Sequence, residues 1–186
     1  MLSSRGYPMP AEVNSGNFPV RKTAGFIVMG VSGCGKSTVG RMLAGRLGWD
    51  FFDGDDFHSP ANIAKMRTGI PLTDEDRAPW LAALHNVLAD TLRAGRHPVL
   101  ACSALKERYR SSLRERIDGL RIVYLKGEFD LILARMQVRP GHYMKPGMLQ
   151  SQFDALEEPA DAWTFDVSLP PDTVTDILCQ RLKNEA

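Results

Sequence analysis

From Gly25 onward the apolar positions of this 186-residue chain switch between two rhythms. Short unbroken apolar runs read as buried strands: "GFIVMGV" (25–31), "WDFFD" (49–53), "HPVLACS" (97–103), "LRIVYLKG" (120–127) and "WTFDVSL" (163–169). Between them apolar residues recur three to four apart, the period of a helix with one buried face. Lys36–Leu47 carries Val39, Met42, Leu43 and Leu47 at that spacing and stops at Gly48. Thr73 with Asp76 three residues later has the form of a capping box, and Trp80, Leu81, Leu84, Val87, Leu88 and Leu92 then repeat at helical spacing as far as Gly95. Residues 104–117, 129–138, 148–156 and 173–182 complete the expected helices.

Strands alternating with helices predict an α/β fold, a parallel sheet with helices on both faces and right-handed crossovers. Ligands of such sheets gather at the carboxyl ends of the strands. Two stretches break the rhythm. Residues 1–23 mix Ser, Gly, Pro and Asn without periodic apolar positions and read as a flexible extension, leaving 24–186 as a single domain. "RPGHYMKPG" (139–147) holds two prolines and two glycines and reads as a loop or lid.

Composition narrows the function. Hydrophobic residues make up 44% of the chain, enough for one well-buried core at this length. Charge is balanced, 23 basic against 22 acidic residues, so no global field favours nucleic acid or anionic membrane. No apolar run approaches the roughly 20 residues of a membrane span. Cys34, Cys102 and Cys179 are odd in number and lack paired spacing, which argues against disulfides and a zinc site and for a cytoplasmic setting.

The chemistry starts at "GVSGCGKST" (30–38), which fits GxxxxGK[ST] with a strand before it and a helix after it. Gly30, Gly33 and Gly35 free the backbone to turn its N–H groups inward around phosphate oxygens, with Val31, Ser32 and Cys34 contributing mainly main chain. Lys36 reaches the outer phosphates, the Ser37 hydroxyl can ligate magnesium, and Thr38 is a weaker polar contact at the inner phosphates. Cys34 has two readings, a tolerated small residue or a reactive thiol beside a lysine and a helix N-terminus. The guanine-reading NKxD and the DxxG of a GTPase switch are both missing from the sequence.

"FFDGDDFH" places Asp53, Asp55 and Asp56 at a strand's carboxyl end. A kinase acting on a hydroxyl needs one carboxylate to orient or deprotonate it and another to hold magnesium through water. The alternative for this cluster is a polar turn satisfying local backbone donors. Ser103 and Lys106 follow the third strand and face the same side, and His58 stands just beyond the cluster, where helix capping explains it equally well.

"GVSGCGKSTVG", "DGDDFHSPANIAKMRTGIPLTDEDRAPWL", "LACSALKERYR", "RPGHYM" and "MLQSQFDALEEP" together resemble the gluconokinase family, from about Phe26 to Pro159. The resemblance implies the three-layer P-loop kinase fold of nucleoside-monophosphate and shikimate kinases, with a mobile lid at about 139–148. It also implies ATP, Mg2+, conversion of D-gluconate to 6-phospho-D-gluconate, and a homodimer. Asp55 is similar in position to the acceptor-orienting Asp of shikimate kinases and Arg77 to their carboxylate-binding Arg. Asp53 then supports magnesium, and the two aspartate roles are exchangeable. A sugar acid needs a cation for its carboxylate, for which Arg offers a bidentate fit, with Lys65, Arg67 and Lys106 as further candidates. On the lid side, Arg139 is expected over the transferring phosphate, Arg135 at the nucleotide and His142 at the acceptor, with Tyr143 nearby. The adenine is expected between the lid edge and the loop after "DVSLPPD", at Pro170 and Asp172. Gln150 and Gln152 belong to the distinctive block but carry no role derivable from sequence.

Overall fold

The computed structural model describes residues 22–138 and 146–185. Residues 1–21 of the expected N-terminal extension, and Arg139, His142 and Tyr143 of the expected lid, lie outside the described residues; the extension's last residue, Thr23, is instead buried with its hydroxyl donating to Glu185, so the folded part begins before residue 24. Five strands, β1 (Gly25–Met29), β2 (Asp50–Asp53), β3 (Pro98–Ala101), β4 (Leu120–Lys126) and β5 (Trp163–Asp166), form one parallel sheet in the order β2-β3-β1-β4-β5. The helices are α1 (Lys36–Leu47), α2 (Pro60–Thr68), α3 (Asp74–Arg93), α4 (Glu107–Arg114), α5 (Phe129–Val138), α6 (Pro146–Asp154) and α7 (Pro171–Asn184).

The central strand shows why both faces are covered. Every residue of β1 is buried, and its side chains alternate between two cores. Phe26 and Val28 join Val39 and Leu43 of α1, Ile132 of α5, Leu149 of α6 and Leu178 of α7. Ile27 and Met29 join Trp80, Leu84 and Leu88 of α3 and Leu113 of α4. A strand buried on both faces has to read as the continuous apolar run seen in the sequence.

Several boundaries differ from expectation. Helix α2 had no reading from periodicity, since its apolar residues form no stripe; Ser59, whose side chain accepts from Asn62 N, Pro60 at the first turn and Gly69 at the C-cap hold its ends. The helix expected over 104–117 is confined to α4, because Ala104 (φ 42°) and Arg116 (φ 55°) adopt left-handed backbone just outside it. The run "WTFDVSL" leaves the sheet at Asp166, whose Oδ1 accepts from Ser168 N at 2.7 Å and turns the chain. The capping box forms as read: Asp76 N donates to Thr73 Oγ1 at 3.2 Å and Thr73 N to Asp76 Oδ2 at 3.0 Å.

The chain leaves β1 on one side for β2 and β3 and on the other for β4 and β5. The resulting switch point, at the carboxyl ends of β1 and β3, is where open α/β sheets bind ligands.

Candidate active site

The turn from β1 into α1 carries the phosphate loop. Gly33 has φ +83°, and a Cβ there would lie 2.6 Å from Met136 Cγ, so this position requires glycine on both counts. Gly35, at φ 100°, is the N-cap of α1 and lets the loop turn directly into the helix. Lys36 Nζ donates to Val31 O at 3.0 Å, which folds the ammonium over the loop it serves. Ser37 is half-buried and Thr38 exposed. Cys34 is buried, and burial pushes its thiol above the ordinary range despite the nearby Lys36, which removes the reactive-thiol reading.

Two other segments close on the loop. Gly30 N donates to Ser103 O at 3.4 Å, bringing the end of the β3 segment against the loop's start. Ser32 N donates to Gln152 Oε1 of α6 at 2.7 Å. Gln152 therefore braces the phosphate loop across 120 residues of sequence, a role that no local pattern signals, while Gln150 bonds Asp154 of its own helix.

Facing the loop, β2 ends in Asp53, paired in register with Ala101 of β3. Asp53 caps the 3-10 turn Gly54–Phe57: its Oδ1 accepts from Asp55 N at 3.3 Å, and Oδ2 lies 3.8 Å from Arg41 of α1. Its side chain is 15% exposed, whereas Asp55 and Asp56 are open to solvent. Asp53 thus has the local polar-turn role as well as a place beside the loop. Trp80 Nε1 of α3 donates to Gly54 O at 2.7 Å and fixes this turn against the helix.

The cations expected on the acceptor side are unequally committed. Lys65 holds Asp76 through both carboxylate oxygens at 2.7 and 2.8 Å, so it ties α2 to the capping box of α3. That hydrogen bond, with the Thr73 backbone donor, holds the Asp76 carboxyl below its usual range. Lys106 lies 3.5 Å from Asp74, which also accepts from Tyr109 and Arg108. Arg77 bonds backbone oxygens alone, Leu72 O and Thr73 O, and its guanidinium lies 5.7 Å from the Tyr109 ring centre. Among the described residues neither Arg77 nor Arg67 is paired with a carboxylate, whereas Lys65 and Lys106 are, and Arg77 is the one packed beside Tyr109. Arg67 is exposed near the end of α2, and Arg135 is exposed on α5, where its charge acts on Asp166 and Cys34.

Among the described residues no three His, Cys, Asp or Glu side chains converge as a cation site. The Ser37 hydroxyl and the Asp53 carboxylate suit Mg2+ of the kind held mainly by phosphate and water, with one or two protein ligands. Cys102, beneath the site, is fully buried with its thiol pushed up to about 12 and offers no chemistry.

The geometry is that of a phosphoryl-transfer site, and comparison with known proteins agrees. The family model described as shikimate kinase matches residues 32–159. The probable gluconokinase of Mus musculus is 47% identical over 179 residues, covering 84% of this chain and 96% of its own. The gluconokinase of Gluconobacter oxydans (strain 621H) is 50% identical over 135 residues, covering 73% and 76%. The crystal structure of a gluconokinase from Sinorhizobium meliloti 1021 superposes with a TM-score of 0.79 at 42% identity, covering 88% of this chain and 94% of the other. The chain belongs to the gluconokinase family of P-loop kinases.

Proposed function

We propose that the protein transfers the γ-phosphoryl group of ATP to the terminal hydroxyl of D-gluconate, giving 6-phospho-D-gluconate and ADP. The observation that carries this reading is the placement, across one switch point, of a complete phosphate loop opposite an aspartate turn and Arg77, in a chain nearly half identical to gluconokinases.

The Gly30, Ser32 and Cys34 N–H groups are bonded to Ser103 O, Gln152 Oε1 and Val31 O, so the Gly33 and Gly35 N–H groups and the N-terminus of α1 receive the phosphates, and Lys36 exchanges Val31 O for the outer ones. Ser37 and Asp53 would hold Mg2+, which supplies charge neutralisation on the phosphoryl oxygens. Asp55, exposed and one residue beyond Gly54, orients the acceptor hydroxyl and takes its proton. Arg77 receives the sugar-acid carboxylate, with Ser103, Lys65 and Lys106 completing the acceptor wall; each lysine first has to loosen its carboxylate partner. Arg139 and His142 are assigned to the transferring phosphate and the acceptor, and Arg135 to the nucleotide. Transfer then rests on positioning and charge rather than on a covalent intermediate. Residues 24–186 act as one kinase domain, and we assign the protein a cytosolic setting and a homodimeric state. Among the described residues no helix is long and apolar enough to cross a membrane.

Asp55→Asn separates acceptor chemistry from nucleotide binding. The expected result is a loss of roughly 10²–10⁴ in kcat, the range for a removed general base, with ATP affinity near wild type. Wild-type kcat in this variant would move the role to Asp53.

A further inference from the structure

His58 is unused by the mechanism above. Its ring lies flat on the Trp80 indole, with centroids 4.4 Å apart and planes inclined by 13°. Trp80 is itself pinned to Gly54 O, so the imidazole cannot turn away without losing the stack. Nδ1 is sealed from solvent and, among the described residues, is the buried side-chain nitrogen or oxygen that lacks a hydrogen-bond partner. Nε2 is not sealed, and no group among the described residues bonds it.

A polar atom buried without a partner costs stability, and phenylalanine would make the same stack without that cost. The fold alone therefore gives no reason for histidine at this position. With no acceptor beside Nδ1, the ring proton belongs on Nε2, the open nitrogen. Burial lowers the imidazole's pKa, Arg77 lowers it further and Asp55 opposes both, so the ring is neutral near pH 7. The result is an uncharged N–H donor, held in one tautomer, within electrostatic reach of both the aspartate and the arginine of the acceptor side.

We propose that His58 Nε2–H donates a hydrogen bond to an internal hydroxyl of the sugar-acid acceptor and thereby selects a hydroxylated chain over a deoxygenated one. The inference rests on the gluconate reading. Asp55 takes one end of that molecule and Arg77 the other, which leaves the intervening hydroxyls for a neutral donor. A neutral donor also suits an uncharged oxygen, because it leaves no unpaired buried charge when the site is empty. A site that hydrogen-bonds a hydroxyl discriminates strongly against the analogue lacking it.

The test is His58→Phe, which keeps the stack and removes both nitrogens. Gluconate binding, measured calorimetrically with a non-hydrolysable ATP analogue, is expected to weaken roughly 2- to 13-fold, the worth of one neutral hydrogen bond. ATP-analogue affinity should hold and Tm should stay level or rise. Across a series of monodeoxy gluconates, one position should bind wild type as weakly as the variant, and there the substitution should cost nothing more. Unchanged gluconate affinity, an equal loss on every analogue, or a fall in Tm with both affinities together would overturn the proposal. Should His58→Phe not fold, His58→Met is read against the same analogues. A wild type that binds no gluconate at all would instead overturn the function on which the inference stands.

Discussion

At the residue scale, the proposed site consists of groups held by weak partners. Lys36 rests on a carbonyl 3.0 Å away, and Arg77 on two carbonyls, partners that cost far less to leave than a carboxylate. Lys65, by contrast, is gripped by Asp76 in a bidentate pair, which marks it first as a structural tie. His58 adds a pH signature. Its pKa is lowered from 6.5 in the folded protein, so below that pH the unfolded chain binds more protons than the native one. Stability should therefore fall as pH drops below about 6.5 and level off once the folded-state ring also protonates. The check is Tm against pH for wild type and His58→Phe: the wild-type curve should drop relative to the variant below about pH 6.5, and parallel curves would contradict the assignment. Much at this scale was legible, because residue identity itself defines the phosphate loop and the aspartate cluster. The brace from Gln152 to Ser32 was not, since a contact between residues 120 positions apart leaves no local pattern.

At the scale of elements, caps decide where the site's walls begin. Thr73 and Asp76 satisfy two orphan donors at the start of α3, and Asn62 Nδ2 of α2 donates to Asp76 O at 2.8 Å, so the same junction orients both helices that flank the acceptor side. Thr73→Ala should cost about 0.5–2 kcal/mol in chemical denaturation, the usual worth of an N-cap. Because Arg77 follows one residue after the box, that variant should also weaken gluconate binding more than ATP binding; an equal effect on both would separate the cap from the site. The capping box was readable from Thr73 and Asp76. Helix α2 is invisible to periodicity because its cues are a capping Ser59, a leading Pro60 and a closing Gly69 rather than an apolar stripe. The shortening to α4 was unreadable for another reason: Ala104 takes a left-handed backbone that an alanine does not advertise.

On the scale of the whole molecule, alternating rhythms were enough to predict a parallel sheet covered on both faces, and the two cores divided by Phe26 and Val28 against Ile27 and Met29 bear this out. Periodicity carries no information on which strand lies beside which. The order β2-β3-β1-β4-β5 is what places the loop after β1 beside the segments after β2 and β3, and so makes one site from three distant stretches. The central claim is that this site joins ATP to a sugar acid. The most direct measurement is ATP consumption by the purified protein with magnesium, comparing D-gluconate, shikimate, glucose, an adenylate acceptor and no acceptor. Turnover confined to D-gluconate is the predicted result. Equal turnover without acceptor, or turnover with shikimate in place of gluconate, would contradict the assignment of the wall that faces the phosphate loop.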